Sequence, residues 1–269
     1  MHAKSRFSLA ATAFLAMLNR DLVVTGREFI PFLLQALMQP LFFLFIFGKV
    51  LPGMGFTAGA FVAAMLPGIV GLTTLIASMQ GVTLPLVLDL GFAREIDDRL
   101  LAPLPIGLVA VEKVIFAAIR GVIGGTVIFP LAWLILGDRF AVRSDHVAML
   151  AGMIVLTAFV GAGLGLVMGT SIKPEQISLM FTLIFTPLLF TGCTYYPWGA
   201  LTNIRWFQVV VLFNPLTYAS EGLRHTMVPP IGGHEIPTLN IAWVLLALGA
   251  TVVGSLILGS RTFRGRVVT

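Results

Sequence analysis

The stretch "TAGAFVAAMLPGIVGLTTLIASMQGVTLPLVL", Thr57–Leu88, runs for 32 residues without one charged side chain. A helix crosses the hydrocarbon of a bilayer with about 20 apolar residues, so this run is long enough to cross it and to tilt or protrude. Its sequel is the opposite in character. "FAREIDDRLLAPLP", Phe92–Pro105, gathers Arg94, Glu95, Asp97, Asp98 and Arg99 into six positions, and a further apolar run opens at Val109. Charge confined to the gaps between such runs is the pattern of a chain threaded through a membrane.

Composition agrees. The 269 residues are 58% hydrophobic and 11% charged, with a mean hydropathy of +0.99. A soluble domain is about 45–50% apolar and about 25% charged. Five more stretches approach or reach spanning length: Phe29–Leu51, Val109–Leu136, Val147–Thr170, Gln176–Tyr196 and Asn240–Gly259. The expected fold class is therefore an all-α membrane protein with six transmembrane helices, forming a single domain over residues 1–269.

Lys and Arg set the orientation, because cytoplasmic loops carry the excess. With the N-terminus inside, twelve basic residues fall on the inner side: Lys4, Arg6, Arg20, Arg27, Arg94, Arg99, Lys113, Arg120, Lys173, Arg261, Arg264 and Arg266. Five fall outside: Lys49, Arg139, Arg143, Arg205 and Arg224. The bias predicts cytoplasmic N- and C-termini in a cell membrane, and it puts residues 89–105 on the inner side. It also accounts for the sequence pI near 9.9 without nucleic acid, for which no basic stripe or RNA-binding motif is present. Cys193 stands alone, so no intrachain disulfide forms, and His2, His146, His225 and His234 lack metal-ligand spacing.

Residues 1–28 admit two readings. A basic start and a short apolar run suit a signal peptide. The "NRD" that follows, with Arg6, Asn19, Arg20, Asp21 and Arg27 at near-helical spacing, suits an amphipathic helix in the inner interface, which is the preferred reading. No internal repeat or low-complexity segment is visible.

Within Phe92–Pro105, Phe92, Ile96 and Leu100 are four apart and share one helical face. Charge takes the rest of the circumference, and Pro103 and Pro105 end the helix. The plain reading is a solvated loop that obeys topology. The sharper one is a docking helix whose apolar ridge enters a groove on a cytoplasmic partner while charges of both signs fix the register. The chain has no P-loop of its own: Gly48-Lys49 is followed by Val50 and lacks the upstream glycine that cradles phosphate. It is expected not to be an enzyme, and a nucleotide-driven engine would be another chain.

The outer side holds a second unusual stretch, "VLFNPLTYASEGLRHTM", Val211–Met227. Asn214-Pro215 favours a turn with a helix after it, and Glu221 and Arg224 are three apart on one face. Upstream, "TPLLFTGCTYYPWGAL" has Pro187 inside an apolar run and Pro197 at its end. Broken or re-entrant helices over residues 197–239 are expected, tolerated where protein buries them.

The order of these parts, with "NPLTYASEGLR" at Asn214–Arg224 and a "P.LFTG..YP" pattern at Pro187–Pro197, resembles the ABC-2 family of transporter permeases, in its branch of antibiotic-resistance and nodulation lipooligosaccharide exporters. The resemblance implies a permease that moves a hydrophobic or amphipathic substrate, such as a drug, lipid or lipid-linked glycan, outward. It implies a separate P-loop ATPase that holds ATP and Mg, and no cofactor on this chain. It implies a second permease subunit, as homodimer or homologous heterodimer, in contact with membrane lipid. Docking then falls to a coupling helix with Phe92, Arg94, Glu95, Ile96, Asp97, Asp98, Arg99 and Leu100. An outer cap falls to Asn214, Pro215, Tyr218, Glu221 and Arg224.

Other residues keep more than one reading. Gly161, Gly165 and Gly169 recur every four residues and suit close helix packing, as do Gly121, Gly124 and Gly125. Glu112, Lys113 and Arg120 enter the third span, in an interfacial or a coupling role. Tyr195, Tyr196, Trp198, Trp206 and Tyr218 form an aromatic belt or a stacking surface for a sugar or drug. An ATP-independent transporter or channel is the alternative function. It would need an ionisable group at mid-membrane, and no Asp or Glu lies at the centre of a predicted span.

Overall fold

The computed structural model describes residues 2–27, 29–56, 59–90, 105–137, 140–230 and 236–268. Phe92–Leu101, the proposed docking helix, lies outside the described residues. The described residues form helices and no strand. In chain order they are α1 (His2–Arg27), α2 (Phe29–Phe45), α3 (Gly59–Leu88), α4 (Ile106–Leu136), α5 (Val147–Ser171), α6 (Ile177–Thr191), α7 (Arg205–Val210), α8 (Pro215–Met227) and α9 (Ile241–Val268). A π-helical turn, Ile46–Val50, and a short turn, Leu51–Gly53, prolong α2.

Contacts fix how these helices alternate. Gly48, late in α2, sits against Leu136 at the end of α4. Lys113, early in α4, reaches Asp89 just past α3. Thr170 at the end of α5 shares a 2.6 Å hydrogen bond with Thr262 near the end of α9. The bundle thus has a first end, where α3 ends and α4 begins, and a second end, which carries residues 140–146, 192–204 and 236–240.

Among the described residues six helices are long and apolar enough to cross a membrane: Leu9–Arg27, Phe29–Gly53, Phe61–Leu88, Gly107–Leu136, Val147–Ser171 and Ile241–Arg266. They differ from the six expected spans at two places. Gln176–Tyr196 was expected to span; its helix, α6, has only 15 residues. At 1.5 Å per residue that is about 22 Å, short of the ~30 Å hydrocarbon core. Conversely α1, expected to lie in the interface, meets the length and hydropathy test. Its Ala10, Ala13, Phe14 and Met17 pack on the α4 side of the core at helical spacing, while Leu9, Leu15 and Val23 are exposed.

The core is α3. Of its central run 83% is buried, against 17% for α9. An all-round apolar helix suits either a lipid-facing span or a surrounded one; α3 is surrounded, and two glycine stripes let the neighbours approach. A Cβ on Gly161 would stand 2.4 Å from the Leu75 carbonyl oxygen, and one on Gly165 2.5 Å from that of Met79. From the other side a Cβ on Gly121 would stand 2.8 Å from the Thr74 carbonyl oxygen. Gly169 is looser, with Leu86 at 3.1 Å. Thr83 adds an interhelical hydrogen bond by donating to the Gly165 carbonyl at 3.1 Å. Gly165→Leu is expected to cost about 1–3 kcal/mol by overpacking a contact whose far side is backbone. At Gly254, within α9, an added Cβ meets nothing within 4 Å, so Gly254→Ala is expected to keep stability or raise it by up to about 1 kcal/mol through helix propensity. Thermal melting of the two purified variants in detergent checks this contrast.

Candidate functional site

Two clusters of polar and charged side chains interrupt the apolar bundle, one at each end. The first is built on α8. Asn214 caps this helix: its Oδ1 accepts from the Leu216 N–H at 2.9 Å, and Pro215 follows at the position where a missing N–H costs nothing. The Asn214 Nδ2 donates to the Leu188 carbonyl at 2.9 Å and to the Thr191 hydroxyl at 2.9 Å. The cap therefore also pins the end of α6.

Three further residues of α8 reach the same connection. Thr217 donates to the Thr191 carbonyl at 3.0 Å, Ser220 to that of Gly192 at 2.9 Å, and the Arg224 Nη2 to that of Cys193 at 2.9 Å. Cys193 holds φ at 49°, the left-handed region that a non-glycine residue enters at a cost of about 1–3 kcal/mol. Its carbonyl is one of the oxygens that accept from the guanidinium.

Arg224 is 1% exposed and Glu221 0%. They are ion-paired through Arg224 Nη1 and Glu221 Oε1. The Arg224 Nε donates to the Ala64 carbonyl of α3 at 2.9 Å. Glu221 accepts from the Trp198 N–H at 2.8 Å and from the Leu239 N–H at 3.2 Å. One buried pair thus ties α3, the segment after α6, α8 and the approach to α9. Tyr218, on the same helix, packs on the main core. Trp198 donates its indole N–H to the Gln208 carbonyl at 3.1 Å, and Trp206 is 70% exposed.

Nearby, the Arg143 Nε donates to both carboxylate oxygens of Asp145, at 2.8 and 2.9 Å. That bond holds the Asp145 carboxyl below its ordinary value. Its contribution is present above the ordinary carboxylate pKa and is lost as pH falls through Asp145's own, lower pKa.

The second cluster sits at the first end. The Lys113 Nζ lies 2.9 Å from Asp21 Oδ2 of α1 and 4.0 Å from Asp89 Oδ2 beyond α3. One α4 cation so faces a carboxylate from each of two other elements. A turn or two along α4, the Arg120 guanidinium lies 4.3 Å from the centroid of the Phe32 ring of α2, in cation–π geometry. Glu112 is fully buried on the same helix. Lys113 and Arg120 stood out in the sequence; Asp21, Asp89 and Phe32 did not stand out as their partners, being 92, 24 and 88 positions away along the chain from Lys113 and Arg120 respectively. The one local signal was Asp21, the only acid within α1.

These placements describe a multi-pass membrane protein with an ionic cluster at either end and packed apolar helices between. No curated protein matches the chain in sequence comparison. The family model described as ABC-2 type transporter matches residues 12–228, from within α1 through α8, so both clusters fall inside it and the chain belongs to the ABC-2 type transporter family.

Proposed function

We propose that this chain is the transmembrane permease subunit of an ATP-driven exporter for a hydrophobic or amphipathic substrate. The observation that carries the reading is the family match over residues 12–228. Permease domains of this family generally work with an ATPase partner, and the chain has no P-loop of its own. The reading adds a second permease subunit, cytoplasmic termini, and docking of the ATPase on Phe92–Leu101. Nucleotide binding then favours one packing of the paired bundles over another, and the clusters at the two ends mark the contacts that such a shift would keep or break. Glu221 and Arg224 hold the second end together as the external cap.

The test is a charge reversal on the docking segment. The variant Glu95→Lys, Asp97→Lys, Asp98→Lys is expected to insert normally, to lose co-purification with an ATPase from native membranes, and to lose ATP-dependent transport. An ATPase still retained at wild-type stoichiometry would remove the docking assignment. Full transport by the reconstituted permease alone would replace the exporter reading with that of an ATP-independent transporter.

A further inference from the structure

Past α6 the chain is held in two different ways. On one side α8 grips its backbone: the Thr191, Gly192 and Cys193 carbonyls accept from Thr217, Ser220 and Arg224. From α3, Gly68 comes so near that a Cβ there would overlap the Thr194 carbonyl. Toward α2 the contact is aromatic. The Tyr195 ring lies 4.8 Å from that of Phe43 and 6.3 Å from that of Phe47, centroid to centroid, and Phe47 lies 6.0 Å from Phe61 of α3.

Three kinds of strain meet at this seam. The Tyr195 hydroxyl is buried without a hydrogen-bond partner, and so is that of Thr194, which is 0% exposed. Among the described residues every other buried serine or threonine hydroxyl is bonded. The neighbouring Tyr196 hydroxyl donates to the Phe190 carbonyl. Cys193 adds its left-handed φ of 49°. Across the seam, Phe47 stands in the π-helical turn Ile46–Val50, a form that is rare and occurs mostly at functional sites.

Such strain persists where the surroundings enforce it. At Cys193 and Thr194 the grip of α8 and α3 does so. On the α2 side the ring contacts face a stranded hydroxyl, and an unmade bond of that kind costs about as much as an aromatic pair returns or more. Closed and open arrangements are therefore near balance there, and the π turn gives α2 a place to bend.

We propose that the seam between α2 and Tyr195 is a latch at the second end. It opens by swinging α2 at the π turn away from Tyr195, which lets water reach the two hydroxyls, while α8 and α3 keep the backbone of residues 191–194 in place. This assignment concerns the packing of one chain; it goes beyond the exporter reading and does not depend on it.

The full chain in phosphatidylcholine nanodiscs, with no nucleotide or partner added, is followed by hydrogen exchange and mass spectrometry. In the unaltered chain, peptides from residues 43–56 are expected to exchange faster than those from 215–227. Tyr195→Phe keeps the ring and removes the stranded hydroxyl. It is expected to slow exchange in 43–56 by about fivefold or more and to leave 215–227 unchanged. Thr194→Val is expected to act in the same direction, and Phe43→Leu, which removes a ring pair, to speed exchange in 43–56 severalfold. Simple fraying of the helix end would give the same exchange in 43–56 with and without the Tyr195 hydroxyl, and that result overturns the latch. Faster exchange in Tyr195→Phe overturns it too, because the hydroxyl would then be holding the seam shut. So does an equal slowing in 215–227, which would mean that the whole bundle had been stabilised. The unaltered chain decides independently of how any variant folds: residues 43–56 as protected as 215–227 also overturn the assignment.

Discussion

Replacing Arg224 with alanine is expected to cost about 3–5 kcal/mol, the range for removing one partner of a buried ion pair. Glu221 would be left at 0% exposure without its cation, and the Ala64 and Cys193 carbonyls would lose the donors that now reach them at 2.9 Å. Against a total stability of about 5–15 kcal/mol this is a large fraction, and at about 2–4 °C per kcal/mol it lowers the melting temperature by about 6–20 °C. Arg224→Lys is expected to rescue little, since one ammonium cannot span the three directions that the guanidinium serves. Melting in detergent and the yield of monodisperse protein are the measurements. Because the same pair sets the approach to α9, transport by whatever folds is expected to fall as well. An Arg224→Ala protein that melts with the wild type would show that the cluster does not hold the second end. The double variant Glu221→Gln, Arg224→Ala should lose less than the sum of its parts, since no charge remains stranded.

The second large effect is expected at the other end. Lys113→Met keeps the length of the side chain and removes the cation between Asp21 and Asp89. Lys113 is 5% exposed at its side chain, Asp21 9% and Asp89 13%. The expected cost is about 2–3 kcal/mol, below the fully buried range because a cavity that all three residues line admits solvent. Its consequence is local. Among the described residues of α1 Asp21 alone is buried, so that helix loses a polar anchor to α4. Hydrogen exchange or limited proteolysis within residues 9–27 should rise several-fold while the α3–α5 core stays protected. Unchanged protection of α1 would mean that its apolar stripe alone docks it. Asp21→Asn combined with Lys113→Met should restore part of the loss.

Much of this architecture could be read from the chain. The runs that became α2, α3, α4, α5 and α9 are apolar over spanning length, and no tertiary information was needed to find them. The glycines at Gly161, Gly165 and Gly169 were visible as a four-residue stripe. Their partner, α3, was not, because spacing names a face and never the helix that covers it. The departure at α6 has a similar cause. Gly192 offers a local stop, and the chain leaves the helix at Thr191. The carbonyls of Thr191, Gly192 and Cys193 take hydrogen bonds from Thr217, Ser220 and Arg224 instead of from the next turn. Those donors lie 26 to 31 positions away, so the folding of the connection back onto α8 could not be read locally.

The sequence by itself determined that the chain lives in a membrane, where its long helices run, and that Glu221 and Arg224 share a helical face, since length, hydropathy and helical period are local properties. Only the tertiary structure decided that α3 is the surrounded helix, that Arg224 anchors to Ala64 and Cys193, and that Lys113 meets Asp21 and Asp89. Charges buried in a low-dielectric interior must find partners wherever the fold brings them, and distance along the chain does not enter into that choice.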